Sequence, residues 1–488
     1  MFFIHLTQFT LYLVAFVAIA TLFAIAECFR TRKDDLRPPE PMKLPIIGHL
    51  HLMAGYQVPY QAFDALAKKF GSVFRLQLGC VKCVVINGQK NIREALVTKG
   101  HHFDSRPNFE RYRQLFCGDK ENSLAFCNWS NTQKVRRDML KAYTFPRAFT
   151  NRYYSLEELI SLGAQSIVES CSGEALTKGV ISRSCANIFT RHFCSRNFGL
   201  NDADFVEMVD NYDDIFYEVN QGYAADFLPF LMPLHDRNLK RVNRLTHKIR
   251  DFVLTRIIES RFEESDPTSE PDDYVDSLIK YVKSEETDLT WDSALFALED
   301  IIGGHSAVAN FLVKLLAFLA KEPQVQLTIQ EEIDRVLGSK ELTISDRTLL
   351  PYTEATIFEA IRLIASPIVP RVANRDSFIN GYHVEEGTVI FLNNYDLSMS
   401  EELWDEPEKF KPERFIREER FYKPDHFLPF GGGRRSCMGY KMVQLVSFGI
   451  LGGLMQKYTV LTDRPNYTVP VGSLALPKDT FSFRCVRR

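Results

Sequence analysis

No sign of charge dominates this chain. Its 59 Lys and Arg offset 62 Asp and Glu, which leaves a formal net charge of -3 over 488 residues. Nucleic-acid binding needs a basic footprint, and none is present, so no nucleic-acid partner is expected. A disulfide framework is missing as well. The ten cysteines stand at irregular spacings in a long chain, the usage of a reduced cytosolic protein rather than of a small secreted scaffold. The one Cys-x-x-Cys, Cys80-Val-Lys-Cys83, has no second ligand pair that would make a zinc site. It falls between two β-rich runs, Ser72 to Leu78 and Lys82 to Ile86, and reads as a hairpin in a small N-terminal sheet. The adjacent His101-His102 pair has no partner ligand in sight. No Lys or Arg precedes the first apolar run, and the basic residues follow it instead, which argues against a removed signal peptide.

That run is the first thing the chain does have. From Phe9 to Ala26 it is apolar except for Thr10, Tyr12 and Thr21, long enough to span a bilayer. Arg30, Arg32 and Lys33 follow it and would stay, with everything after them, on the cytosolic side. Residues 1–29 are therefore expected to be a membrane anchor and 30–48 a basic, proline-rich hinge, stiffened by Arg37-Pro38-Pro39-Glu40-Pro41. A single large domain over 49–488 would follow. It has the means for a large apolar interior, since the chain is 45% hydrophobic and carries 38 Phe.

The chain is organised around Phe430-Gly431-Gly432-Gly433-Arg434-Arg435-Ser436-Cys437-Met438-Gly439, followed by the apolar run Val443 to Leu454. Consecutive glycines let a backbone loop approach a neighbour closely. A cysteine at the start of a helix, with two arginines beside it, is placed to be a thiolate, the form that ligates a metal. The order Phe-x-x-Gly-x-Arg-x-Cys-x-Gly resembles the haem-binding signature of the cytochrome P-450 haem-thiolate monooxygenases, with every fixed position filled. Companion segments stand in the required order. Thr290 caps a helix expected from Trp291 to about Lys321, about 45 Å long at ~1.5 Å per residue, and Glu359-Ala-Ile-Arg362 is later followed by Phe410-Lys-Pro-Glu-Arg414-Phe415.

The resemblance covers the full chain and implies an α+β, mainly α architecture: the cytochrome P-450 fold, one large helical haem domain with a small β-sheet lobe, preceded by an N-terminal membrane anchor helix. It implies haem b (iron protoporphyrin IX) as cofactor, with Cys437 as axial iron ligand and Phe430 and Gly439 shaping its loop. Arg371 and Arg435 would meet the haem propionates. Family members place a Trp and an Arg four residues apart on one helix face here. In this chain the arginine register puts Gln133 in the Trp position and Arg137 four beyond it, while Trp129 lies one turn earlier on the same expected helix. Glu359, Arg362 and Arg414 would form a buried charge network with a structural role, because a buried carboxylate between two guanidiniums satisfies its lone pairs and an unpaired one is costly.

One departure stands out on the oxygen side. The family pattern small-Gly-x-acid-Thr reads here Gly303-Gly304-His305-Ser306-Ala307, so Ser306 replaces the acid and Ala307 the Thr. Gly304 would open room over the haem, and His305 or Ser306 would have to substitute in proton delivery or serve only in packing. Gly48-His-Leu-His-Leu, Ser123-Leu-Ala-Phe-Cys-Asn-Trp-Ser and Glu299-Asp-Ile-Ile-Gly-Gly-His-Ser-Ala-Val are similar to the insect Spook and Spookier proteins of ecdysteroid biosynthesis. That likeness implies a sterol substrate and an early step from 7-dehydrocholesterol. It also implies a place on the endoplasmic reticulum membrane with the catalytic domain cytosolic, and NADPH-cytochrome P-450 reductase as electron donor, docking on Lys134, Arg136 and Lys409. The apolar segment Phe227 to Pro233 would join two helices roofing the substrate pocket and dip into the membrane. Three activities stay open: a sterol monooxygenase; a haem-thiolate isomerase, dehydratase or desaturase without oxygen insertion; and a non-catalytic membrane-bound sterol or haem-binding protein.

Overall fold

The computed structural model describes residues 36–488 other than 173–174, 267–268, 285–289, 463 and 465. The anchor expected over 1–29 and the start of the hinge lie outside the described residues. From Pro39 the chain is already tied to the folded body: the Arg75 N–H donates to the Pro39 carbonyl at 2.9 Å, and Gly48 bridges Leu78. The folded part therefore begins about ten residues before the boundary expected at Gly48.

Among the described residues eleven longer helices build the body: α1 (Pro59–Phe70), α2 (Asn131–Thr144), α3 (Asn151–Ser170), α4 (Lys178–Cys194), α5 (Ala203–Asn220), α6 (Met232–Val253), α7 (Tyr274–Lys283), α8 (Trp291–Leu319), α9 (Pro323–Leu337), α10 (Pro351–Ile364) and α11 (Tyr440–Lys457). Their starts are written locally. Ser130, Asp202 and Thr290 each accept a hydrogen bond from a first-turn N–H, and α9 and α10 open on a proline, whose fixed φ suits the first helical position. α8 crosses the centre of the molecule and packs on α4, α5, α10 and α11. It is long and apolar enough to cross a membrane, yet 21 of its 29 residues are buried in the protein, so its hydrophobicity serves the core. Each fully buried Leu or Phe there contributes on the order of 1.5–3 kcal/mol.

The main sheet is less local than the sequence suggests. β1 (Val73–Leu78) and β2 (Val81–Ile86) form the hairpin. β2 then pairs in parallel with β4 (Val389–Leu392), whose other edge takes β3 (Arg371–Val372), giving the order β1-β2-β4-β3. Two of the four strands come from the last third of the chain. A second sheet joins 458–462, 482–487 and 176–177. Phe227 to Leu231 lies between α5 and α6, Met232 and Pro233 open α6 itself, and the segment rests on the tip of the β1–β2 hairpin, where the Cys80 N–H donates to the Phe227 carbonyl at 2.9 Å.

Candidate functional site

Cys437 precedes α11 by three residues, so the helix starts just beyond it, with Gly439 as its N-cap. Its own N–H donates to the Phe430 carbonyl at 3.0 Å, which closes the loop on itself. Gly433, at φ 66°, is a position only glycine fills, because an added Cβ would stand 2.1 Å from the Leu96 carbonyl oxygen. The thiol lies deep enough that burial pushes it up, while the Gly439 N–H, the Arg137 guanidinium and the Tyr440 N–H pull the other way by favouring the thiolate. The side chain is nevertheless accessible. A sulfur that protein surrounds and that yet keeps accessible surface is placed to meet a group held within the fold.

Beside the loop stand four guanidiniums, Arg106, Arg137, Arg371 and Arg435. Arg435 donates to the Asp104 carbonyl at 3.0 Å and to the Cys127 carbonyl, and Arg137 donates to the Ser436 carbonyl at 2.7 Å. Arg106 spans the Ala125, Val369 and Pro370 carbonyls. Sequence reasoning missed Arg106, since no motif marks it. Burial, and then the neighbouring guanidiniums, disfavour the charged forms, bringing Arg106 down to about 9 and Arg371 well below its usual range. Asp104, whose negative charge favours the charged form of Arg371, is itself paired with Arg434 at 3.2 Å. Arg371 is 2% exposed, donates once, to the Arg435 carbonyl at 3.3 Å, and keeps Nε and Nη1 without a protein partner. Buried cations crowded together with unmet donors make a site for an anionic group.

Trp129 stands outside the helix that carries Arg137. α2 begins at Asn131, so Trp129 lies before the helix and shares no face with Arg137. Instead its ring is covered by Arg434 and Arg435, with guanidinium carbons 5.0 and 5.5 Å from its centroid. Gln133 is buried and donates to the Leu124 carbonyl at 2.7 Å. Arg136 is not a surface cation: it is 2% exposed and donates to the Asn122 and Glu121 carbonyls. Lys134 and Lys409 are exposed, and Lys409 pairs with Glu406.

Glu359 meets both of its arginines. Arg362 holds it bidentately at 2.7 and 2.8 Å, Arg414 Nε stands at 3.4 Å, and the Lys411 N–H donates at 2.9 Å. Glu359 and Arg362 have no exposed surface, and Arg362 also donates to the Ser398 carbonyl at 2.7 Å. Every strong donor and acceptor there has a partner, which is the condition for keeping an ion pair in a core.

On α8, beyond its first turn, the residues that keep some exposure are Asp300, Gly303, Gly304, Ala307 and Phe318. The first four are spaced i, i+3, i+4, i+7, a single helix face. His305 and Ser306 lie off that face. His305 is fully buried, bonds the Ile302 carbonyl at 2.7 Å through Nδ1, and packs edge-on to Tyr212; burial brings it down to about 4. Ser306 is 1% exposed, and its hydroxyl is 3.5 Å from the His305 ring. Both belong to the packing side of the helix, so the expectation that one of them stands in for the missing acid or Thr has no geometric support. The glycines serve packing too: a Cβ on Gly303 would meet the Tyr212 ring at 2.8 Å and one on Gly304 the Phe189 ring at 3.1 Å. Sequence reasoning also passed over the one ionisable residue of the exposed face, Asp300. Its Oδ2 accepts from the Leu124 N–H at 2.7 Å and the Ser123 hydroxyl at 3.0 Å, and burial raises its carboxyl to about 6.

A sequence profile of the family described as cytochrome P-450 matches residues 38–483. The chain belongs to the cytochrome P-450 family. Cytochrome P-450 307a1 of Drosophila melanogaster is 38% identical over 91% of this chain and 88% of its own, in keeping with the Spook-like resemblance. Steroid 17-alpha-hydroxylase/17,20 lyase of Ictalurus punctatus is 29% identical over 97% of this chain and 94% of its own. Cytochrome P-450 1B1 of Mus musculus is 29% identical over 86% and 80%. The protein is thus a haem b monooxygenase of the mainly helical P-450 fold. The residues present fit that cofactor: an accessible interior thiol at a helix start would ligate iron, and the unmet donors of Arg371, with Arg106, Arg137 and Arg435, suit its two propionates.

Proposed function

We propose that this monooxygenase oxidises a sterol, at an early step of ecdysteroid biosynthesis that starts from 7-dehydrocholesterol. The likeness to a steroid hydroxylase over 97% of the chain, joined to the stronger likeness to the 307a1 protein, carries the reading. An apolar wall supports it: Tyr112 stacks on Phe126, Phe116 tilts against Phe126, and Phe296 meets Phe116 edge-on beside the start of the exposed α8 face. Such a wall suits a large, rigid, mostly hydrocarbon ligand.

The protein's part in the chemistry follows from its residues. Haem b, when bound, supplies the iron at which dioxygen is activated, and thiolate ligation favours O–O cleavage. Cys437 is held for that ligation by its loop, with the Gly439 and Tyr440 N–H groups directed at sulfur. Arg106, Arg137, Arg371 and Arg435 would neutralise the propionates. Gly304 and Ala307 offer the cavity no hydrogen-bonding side chain, so no α8 residue from Gly303 to Ala307 carries a proton into it. That observation favours a second reading, an oxygen-free desaturation, dehydration or isomerisation.

The reading includes a membrane. The anchor at 1–29 and the hinge that follows it would hold the domain on the cytosolic face of the endoplasmic reticulum. Supporting this, two exposed apolar stretches converge at the hairpin tip: Met42 and Ile46 are 79% and 74% exposed, Phe230 and Leu234 65% and 79%, and Gly79 donates to the Ile47 carbonyl beside Cys80 on Phe227. NADPH-cytochrome P-450 reductase would supply electrons, with exposed Lys134 available to an acidic partner. The test is turnover of a sterol panel by the reconstituted full-length protein with reductase, NADPH and isotopically labelled dioxygen. Labelled sterol product is expected. Unlabelled product selects the oxygen-free reading, and no conversion of any sterol overturns the substrate class.

A further inference from the structure

We infer that Asp300 is the polar anchor of the substrate cavity, accepting a hydrogen bond from a hydroxyl on an otherwise apolar ligand. The inference rests on the sterol reading and deepens it.

Four observations carry it. Asp300 is the one ionisable residue among the four that share the partly exposed α8 face, and protein surrounds its carboxyl closely enough that burial raises it. Its position is fixed from outside the helix: the Ser123 hydroxyl and Leu124 N–H both bind Oδ2, so the carboxylate cannot swing away. The same loop carries Phe126 and Cys127, and thus joins the aromatic wall to the arginine cluster through the Arg435 contact with Cys127. Last, Asp300 lies four residues, about 6 Å along the helix, before Gly304. That offset sets it one turn from the part of α8 that the family uses for oxygen, which suits gripping a substrate rather than handling oxygen. A carboxylate accepts and does not donate, so the matching group is a hydroxyl. A cavity with one such acceptor among aromatic rings rejects a ligand lacking that hydroxyl, because the acceptor would then be buried with unmet capacity.

Asp300 is on this account a specificity-determining residue. The test is the spectral shift on ligand binding in the full-length haem protein, titrated with a 3-hydroxysterol and with the same sterol lacking the 3-hydroxyl. The parent protein is expected to bind the hydroxysterol about tenfold or more tighter, the usual scale of a charged hydrogen bond. Asp300→Leu should reduce that preference to near unity, and Asp300→Asn, whose single amide oxygen can still accept from Ser123 and Leu124, should reduce it in part while haem content stays at the parent level. Equal affinity for the two ligands in the parent, or an undiminished preference in both variants, overturns the assignment and leaves the sterol reading intact. A parent protein that takes up haem but shifts with neither ligand overturns the sterol reading, and the assignment with it. If Asp300→Leu fails to take up haem, the parent ratio and Asp300→Asn decide.

Discussion

The two sides of the cavity are built on opposite principles. On the Cys437 side almost every feature is a backbone or charge contact with a counterpart: Cys437 to Phe430, Gly433 against Leu96, Glu359 between Arg362 and Arg414. On the α8 side the face is glycine, alanine and one aspartate, and its polar neighbours His305 and Ser306 turn into the packing. The first side is over-determined and fixes the cofactor. The second is nearly bare, and there a single side chain changes what the cavity does.

Substitutions on the first side should therefore cost stability, and those on the second should change turnover. The largest expected effect is Glu359→Ala, which leaves two buried guanidiniums without their carboxylate and should cost about 3–5 kcal/mol, read as lost haem retention and a lowered denaturant midpoint. An unchanged midpoint would show that the network is dispensable. Gly433→Ala follows: φ 66° and the Leu96 carbonyl at 2.1 Å force the loop apart, at about 2–3 kcal/mol, and haem incorporation should fall.

His305 gives a smaller, pH-dependent effect. Burial holds its folded-state value at about 4, below its ordinary 6.5. The unfolded chain therefore takes up the proton first as pH falls, so stability tied to His305 is present above about 6.5 and drains away toward 4. His305→Gln should remove about 1–2 kcal/mol of the acid-induced loss measured between about pH 7.5 and pH 5. An identical loss in parent and variant would mean that the ring is not buried neutral. The smallest effect on stability is expected of Ala307→Thr, which adds a hydroxyl to the exposed face of α8. It should leave the melting midpoint nearly unchanged while altering product formed per NADPH, within about tenfold. Unaltered coupling would show that proton delivery does not depend on that position.

The same contrast explains what was legible in the sequence. The Cys437 loop, the Thr290 cap, the proline-started α10 and the Glu359 helix are local signals, written within about ten residues. Asp300 and Arg106 were not legible, because their partners lie far away: Ser123 is 177 residues from Asp300, and Val369 is 263 from Arg106. β4 is illegible for the same reason: its four residues are all apolar and buried, with no alternation to read, and its partner β2 lies in the first hundred residues. The orientation of His305 was hidden by the helix itself: α8 is apolar nearly all round, so its sequence does not say which face meets the cavity. Trp129 was misplaced by assuming that the helix began before Ser130, the residue that caps it.

The account's central claim is that the loop around Cys437 presents a thiolate to haem iron. The ferrous carbon-monoxide spectrum of the full-length protein and of Cys437→Ala tests it most directly. The parent should show the absorption band diagnostic of thiolate ligation and the variant should lack it. A parent without that band, or a variant that keeps it, would contradict the account.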